Sequence, residues 1–333
     1  MKKTIVLALA TMLSTVSFAQ QQIATLNHND SVSVFYGTTA LQQAYDSAVN
    51  GDVILLSSGA FNQISIEKSI TIRGNGIIRD TIADAEPTII NGCSIGGIYN
   101  PVSNIVIEGV RFASSTNFCR LVNPTFRKCM FDLVYCNQAN VQNGVFVNCI
   151  IHKYYITRNY NTQFVNSIVN FESWSSTSNS NGCSMINCIA YLPPFVLAQS
   201  EQNIPDITCT NSILITSSYL ASVNPLATFN CIGIKSNGYF EDSASGNHNF
   251  SSLSSVFKDF SGLQNSKFIE TEFELQDSIA TNILGSDGTQ IGVYGGMAPF
   301  TPRVTTPRYV RCNVAPHTNA EGKLSVDVQV VSE

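Results

Sequence analysis

Four residues fall at one place in consecutive repeats of this chain. Asp132, His152, Asn170 and Tyr191 each lie three positions after an anchor, at 129, 149, 167 and 188. Lys153 and Arg158 are close to them in sequence, and aromatic residues gather nearby: Tyr135, Tyr154, Tyr155, Tyr160, Phe171 and Trp174. A carboxylate beside an imidazole can move protons in general acid–base chemistry. The same strip can hydrogen-bond sugar hydroxyls, and exposed aromatic rings can stack on sugar faces. It equally suits a solvated outer face at a strand end, with the aromatics half-buried as packing under loops.

Other chemistries ask for residues the chain does not group. Calcium-dependent lyase chemistry and glycoside hydrolysis both need clustered carboxylates. Between positions 100 and 240 the acids are Glu108, Asp132, Glu172, Glu201 and Asp206, and no two share a repeat column on neighbouring coils. Cys183 and Cys188 are five apart, which is not the CxxC spacing of a zinc or redox site. His28, His248 and His317 are scattered through expected loops with no sequence partners, and Asp287-Gly288 reads as a turn. The sequence therefore names no catalytic set, no metal site and no cofactor. Calcium enters only if the chain is a lyase.

The elements that must position the strip come from a repeat of about twenty residues. Val145-Phe146-Val147-Asn148-Cys149-Ile150, Gln163-Phe164-Val165-Asn166-Ser167-Ile168, Ser184-Met185-Ile186-Asn187-Cys188-Ile189 and Thr208-Cys209-Thr210-Asn211-Ser212-Ile213 share one pattern. It runs apolar, any, Asn, Cys or Ser, Ile. Ala227 to Ile232 continues it through Asn230, and segments around Val110 and Cys129 are weaker members. Anchors at 110, 129, 149, 167, 188, 212 and 231 are 18 to 24 residues apart. Short strands and tight turns at a constant period, with no helices between, coil into a parallel β-solenoid. The Asn column (Asn148, Asn166, Asn187, Asn211, Asn230) then sits at left-handed corners, where Asn is tolerated better than most residues. Stacked Asn side chains are expected to bond from coil to coil. The Ile150–Ile232 column and the Ile107–Phe126–Phe146–Phe164–Met185 column are expected as interior ladders.

The ends are read separately. Ala40–Val49, opened by Thr38-Thr39 and stopped by Gly51, is an expected helix that caps the first coil. Gly285–Gly296 reads as a last coil with close backbone contacts. Residues 301–333 read as a Pro-rich linker followed by β-strands, the last alternating through Leu324, Val326, Val328 and Val330. Lys2-Lys3, an apolar run and Ser17-Phe18-Ala19 read as a secretory signal, residues 1–19, which leaves 20–300 for the solenoid. The chain is expected to be exported: periplasmic, cell-surface or extracellular. No later stretch reaches the roughly 20 apolar residues that span a bilayer.

Composition narrows the partners. Only 12% of residues are charged and the net charge is −5, so no basic patch favours nucleic acid. Ten cysteines in an exported chain would ordinarily form disulfides. Here Cys129, Cys149, Cys188 and Cys231 alternate with Ser167 and Ser212 in one column, which selects for small size. Mostly free, buried thiols are expected.

Three pieces resemble the right-handed parallel β-helix, or pectate-lyase-like, superfamily. They are Ala40–Tyr45 with Gly51–Leu56 and Ser58–Phe61, the Asn-rich repeat, and Ser286–Gly296, which is similar to the closing motif of many secreted bacterial β-helix proteins. Together they span about residues 31–300. The resemblance implies an all-β, right-handed, single-stranded parallel β-helix with a short N-terminal capping helix and a small C-terminal β-segment. It also implies a groove along one sheet, where enzymes of the group act on polysaccharides, but their clustered acids have no counterparts here.

Three functions follow as expectations. The first is a non-catalytic exported protein that binds carbohydrate or a cell-surface component through Asp132, His152, Asn170, Tyr191, Lys153, Tyr154, Tyr155, Arg158 and Trp174. The second is a divergent polysaccharide lyase or glycosidase. The third is a structural protein whose C-terminal strand adds to a partner sheet.

Overall fold

The computed structural model describes residues 22–79, 86–136, 141–156, 159–174, 182–192, 207–216, 226–234, 245–260, 273–302, 308–314, 318 and 321–331. The fold is a parallel β-solenoid of about seven turns. A typical coil contributes a strand to each of three sheets. Val141–Gln142 lies in the third sheet, Val145–Val147 in the first and Ile150–Ile156 in the second. Each pairs in parallel with its counterpart one coil on: Phe146 with Phe164, Ile150 with Ile168, Val141 with Asn159.

Two corners close this cross-section, and both need a left-handed residue. Asn148, Asn166, Asn187, Asn211 and Asn230 all have φ between +45° and +54°. Gly109 and Lys128 hold the same corner in earlier coils, at +66° and +49°. A second corner carries Asn104, Asn123, Asn143 and Asn161, with Gly182 next. The coil-to-coil bonds expected of the first Asn column occur in this second one. Asn123, Asn143 and Asn161 each donate from Nδ2 to the Asn one coil back, at 3.0–3.3 Å.

The interior is filled by inward-facing columns. Phe126, Phe146 and Phe164 stack at 4.9 Å between ring centroids, and Phe131, Ile151, Val169, Ala190 and Leu214 oppose them. Beside them runs the Cys/Ser column. Cys129, Cys149 and Cys188 each donate from Sγ to a carbonyl one coil back, on Ile107, Phe126 and Phe164. Ser167 and Ser212 donate likewise to Phe146 and Met185. The nine cysteines whose side chains are described are unbonded thiols.

The Ile column is buried but is not an interior ladder. Cys149 and Ile151 face inward, so Ile150 between them faces out. Met130, Ile150, Ile168, Ile189, Ile213 and Ile232 form a second apolar cluster with Val256, Phe257, Leu275, Ile279, Ile291 and Val293. Burial comes from outside. The segment from Phe273 to Pro302, with helix α2 (Asp277–Asn282), straps across the outer face of the second sheet.

Gly285–Gly296, expected as a last coil, is part of this strap. It crosses the first Asn corner over three coils: Asn211 Oδ1 accepts from Ser286 N, Gly296 lies against the Asn187 amide, and Asn166 Nδ2 donates to Val293 O and Gly295 O. Its close backbone contacts are as expected; its direction, along the stack, is not. Asp287-Gly288 is a turn, closed by Thr289 N–H donating to Asp287 Oδ1.

At the N-terminal end, Ile23–His28 and Ser31–Tyr36 form an antiparallel hairpin on the first sheet. Helix α1 (Ala40–Ser47) buries Ala40, Leu41, Ala44 and Tyr45 in the main core. Lys68 ends it: Nζ donates to the carbonyls of Tyr45 and Ala48 at 2.6 and 2.7 Å, satisfying acceptors a helix terminus leaves open. Strands Arg308–Val314 and Val326–Val331 pair antiparallel with each other, so the last strand already has a neighbour. Residues 1–19 lie outside the described residues.

Candidate functional site

The register places the expected strip as one outward column of the second sheet. Met130 pairs with Ile150 and Phe131 with Ile151, which aligns Asp132 with His152. Ile151 pairs with Val169, and Asn170 pairs with Tyr191. Further on, the column reads Ile215, Ile234 and Phe250. It is thus polar away from the strap and apolar beneath it.

Asp132 is the centre of the polar end. Its Oδ1 lies 3.6 Å from His152 Nδ1 and 3.6 Å from Arg111 Nη2. Arg111 heads the preceding coil in the Met130–Ile232 column and reaches diagonally to Asp132. The side chains are about one-third exposed for Arg111 and Asp132, and 16% for His152. Partial burial alone would raise the Asp132 pKa. The close approach of His152, the charges of Arg111 and His152 and the Ser114 N–H together outweigh it and hold the carboxyl below its usual range. The row therefore presents a partly exposed carboxylate at ion-pair distance, 3.6 Å, from two nitrogen-bearing side chains. Arg111 escaped sequence reasoning, although a charged residue in a column of Ile and Met was a legible sign.

Other expected residues divide. Tyr154 faces the interior, wholly buried, and its hydroxyl accepts from Asn159 Nδ2 at 2.8 Å. It is core, not ligand contact, because the bulge after Ile151 shifts the inward alternation onto it. Tyr191 packs against the second apolar cluster, and burial pushes its phenol up to about 12. It belongs to the strap's footing and not to an open strip. Lys153 is exposed. Tyr155 faces outward and stacks on Tyr135, with centroids 4.9 Å apart and planes 23° apart. The ring face each turns to the other is spent in this stack. Arg158 lies outside the described residues; Trp174 pairs by its backbone with Ile156, and its side chain lies outside the description.

Among the described residues no group of three or more His, Cys, Asp or Glu has metal-binding geometry. No helix among them is long and apolar enough to cross a membrane. His28, expected without a partner, has one: its Nδ1 lies 2.8 Å from Asp52 Oδ1.

Fold and site together define the class, a parallel β-solenoid with a cis-docked strap and a charged row beside it. Comparison with protein families, curated proteins and solved structures finds no match to this chain.

Proposed function

We propose that this chain is an exported, non-catalytic β-helix protein of the pectate-lyase-like kind that binds carbohydrate on the outer face of its second sheet. The observation that carries the reading is the Arg111–Asp132–His152 row. Its carboxylate lies 3.6 Å from a nitrogen on either side and its side chain remains about one-third exposed. Such a group can accept hydrogen bonds from sugar hydroxyls.

A lyase or glycosidase reading rests on the contact between Asp132 and His152, which suits proton transfer. It lacks a paired second acid, which glycoside hydrolysis ordinarily uses. A glycan array, run beside assays for new reducing ends and unsaturated products, separates the two. The expected result is binding without product, weakened about tenfold or more by Asp132→Asn and His152→Ala. Product release by wild type would replace this reading with the enzymatic one. Unchanged binding in both variants would remove the row from the function.

A further inference from the structure

We propose that the pocket under loop 96–101 is a separate carbohydrate site, sized for a single neutral pyranose. The loop leaves the second sheet after Ile95 and reaches the third at Val102. Its tip carries Ile98 and Tyr99, 63% and 83% exposed. The two side chains lie next to each other at one loop tip, where an aromatic ring and an aliphatic chain are available to a ligand.

The loop is built to hold them out. Gly96 takes φ +101°, and a Cβ there would press on Leu121 and the Arg120 carbonyl at 3.0 Å. Arg120 N–H donates to Gly97 O at 3.2 Å, and Val102 N–H donates to Arg120 O at 3.0 Å. The Arg120 guanidinium donates to Tyr99 O at 2.7 Å. Tyr99 is therefore fastened through its backbone to the next coil while its ring stays free. Preorganisation of this kind lowers the ordering cost of binding.

Beside the tip lies a cavity of about 320 Å³ lined by Glu67, Ile98, Tyr99, Asn100 and Val102. That is the lower end of the range for small-molecule pockets, which suits one sugar ring better than a chain. A pyranose has apolar C–H faces and a girdle of hydroxyls. Tyr99 and Ile98 match the face. The Glu67 carboxylate accepts hydrogen bonds, and the Asn100 amide both accepts and donates. Among the described lining residues Glu67 carries the charge, and its carboxylate disfavours an anionic sugar. A protein partner would need roughly 1,000 Å² or more of interface, and two side chains at a loop tip supply little of that. The site shares no residue with the Arg111–Asp132–His152 row, so neither reading depends on the other.

Saturation-transfer NMR of the full chain with the methyl glycosides of glucose, galactose, mannose and xylose tests the site. Wild type is expected to transfer saturation to the ring C–H protons of at least one glycoside. Tyr99→Ala and Glu67→Gln are each expected to weaken its Kd about tenfold. Tyr99 and Glu67 are exposed, so circular dichroism and Tm should match wild type in both variants. The proposal is overturned if no glycoside binds, or if Tyr99→Ala binds as wild type does. It is also overturned if Tyr99 instead governs co-sedimentation with phosphatidylcholine vesicles.

Discussion

The Cys/Ser column shows what one side chain must do in a stacked coil. The residue after each corner Asn has a buried N–H that its neighbouring strands do not satisfy. Cys149 N–H donates to Ser167 Oγ at 3.1 Å, Cys188 N–H to Ser212 Oγ at 3.0 Å, and Cys231 N–H to Asn247 Oδ1 at 3.0 Å. Each of these Ser residues accepts from the coil before it and donates to a carbonyl of that coil, and Asn247 does the same through its amide. Small size was legible from the alternation of Cys and Ser. The need for both a donor and an acceptor was not, because it arises only when coils stack. The sulfurs are correspondingly inert: burial pushes the thiols of Cys188 and Cys231 up to about 12 and 11. Ser167→Ala is expected to cost about 1–3 kcal/mol by orphaning the Cys149 N–H, while Ser167→Cys stays within about 1 kcal/mol. Urea melts of the two variants check this, and equal losses would reduce the column to a matter of size.

Asp52 adds a pH dependence at the same scale. Burial would raise its pKa, but the Val49 N–H and His28 bonds and the nearby cations bring it below the ordinary value. A depressed folded pKa contributes stability that is complete above the unfolded value of about 3.9 and is lost as pH falls through the folded one. The stability gap between wild type and Asp52→Ala is therefore expected to narrow as pH drops from about 5 toward 2. A gap independent of pH over that window would refute the linkage.

At the scale of elements, corners were legible and the strap was not. A corner's left-handed φ is a local demand, so Asn at a twenty-residue period reveals it. The second Asn corner gave the same signal at 104, 123, 143 and 161, within the same range of spacing. The strap depends on partners 75 to 129 residues away, which leave no periodicity. Only the glycines hinted at it, since a methyl at Gly296 would collide with the Asn187 amide. Asn166→Gly keeps the left-handed corner and removes two buried bonds to the strap. The expected outcome is faster amide exchange across residues 285–296, with the Val145–Val147 and Gln163–Val165 strands still protected. Exchange accelerating equally in both places would mean that strap and coil open as one unit.

The whole molecule has two apolar clusters on opposite faces of one sheet, and that arrangement explains why the outer Ile column resembled a core column in sequence. Beneath the strap both faces of the second sheet are buried, so periodicity alone cannot say which side is inside. The difference has a mechanical consequence. Solenoid coils stack by nearest-neighbour contacts, so the inner cluster persists as long as the coils do. The outer cluster lasts only while the strap stays docked. Each outer Ile contributes about 1.5–3 kcal/mol when buried, and undocking returns that surface to water. Gly292 offers the lever: its φ is +90°, and a Cβ there would lie 2.9 Å from the Ile213 Cδ1. Gly292→Val is expected to release the strap and expose Ile150, Ile168, Ile189 and Ile213, while far-UV circular dichroism keeps its β signature. Dye binding to apolar surface should rise, and sedimentation should show concentration-dependent association through the bared face. If the variant instead loses its β signature in the same transition that bares the face, the strap is a structural member of the solenoid and not a separable cover.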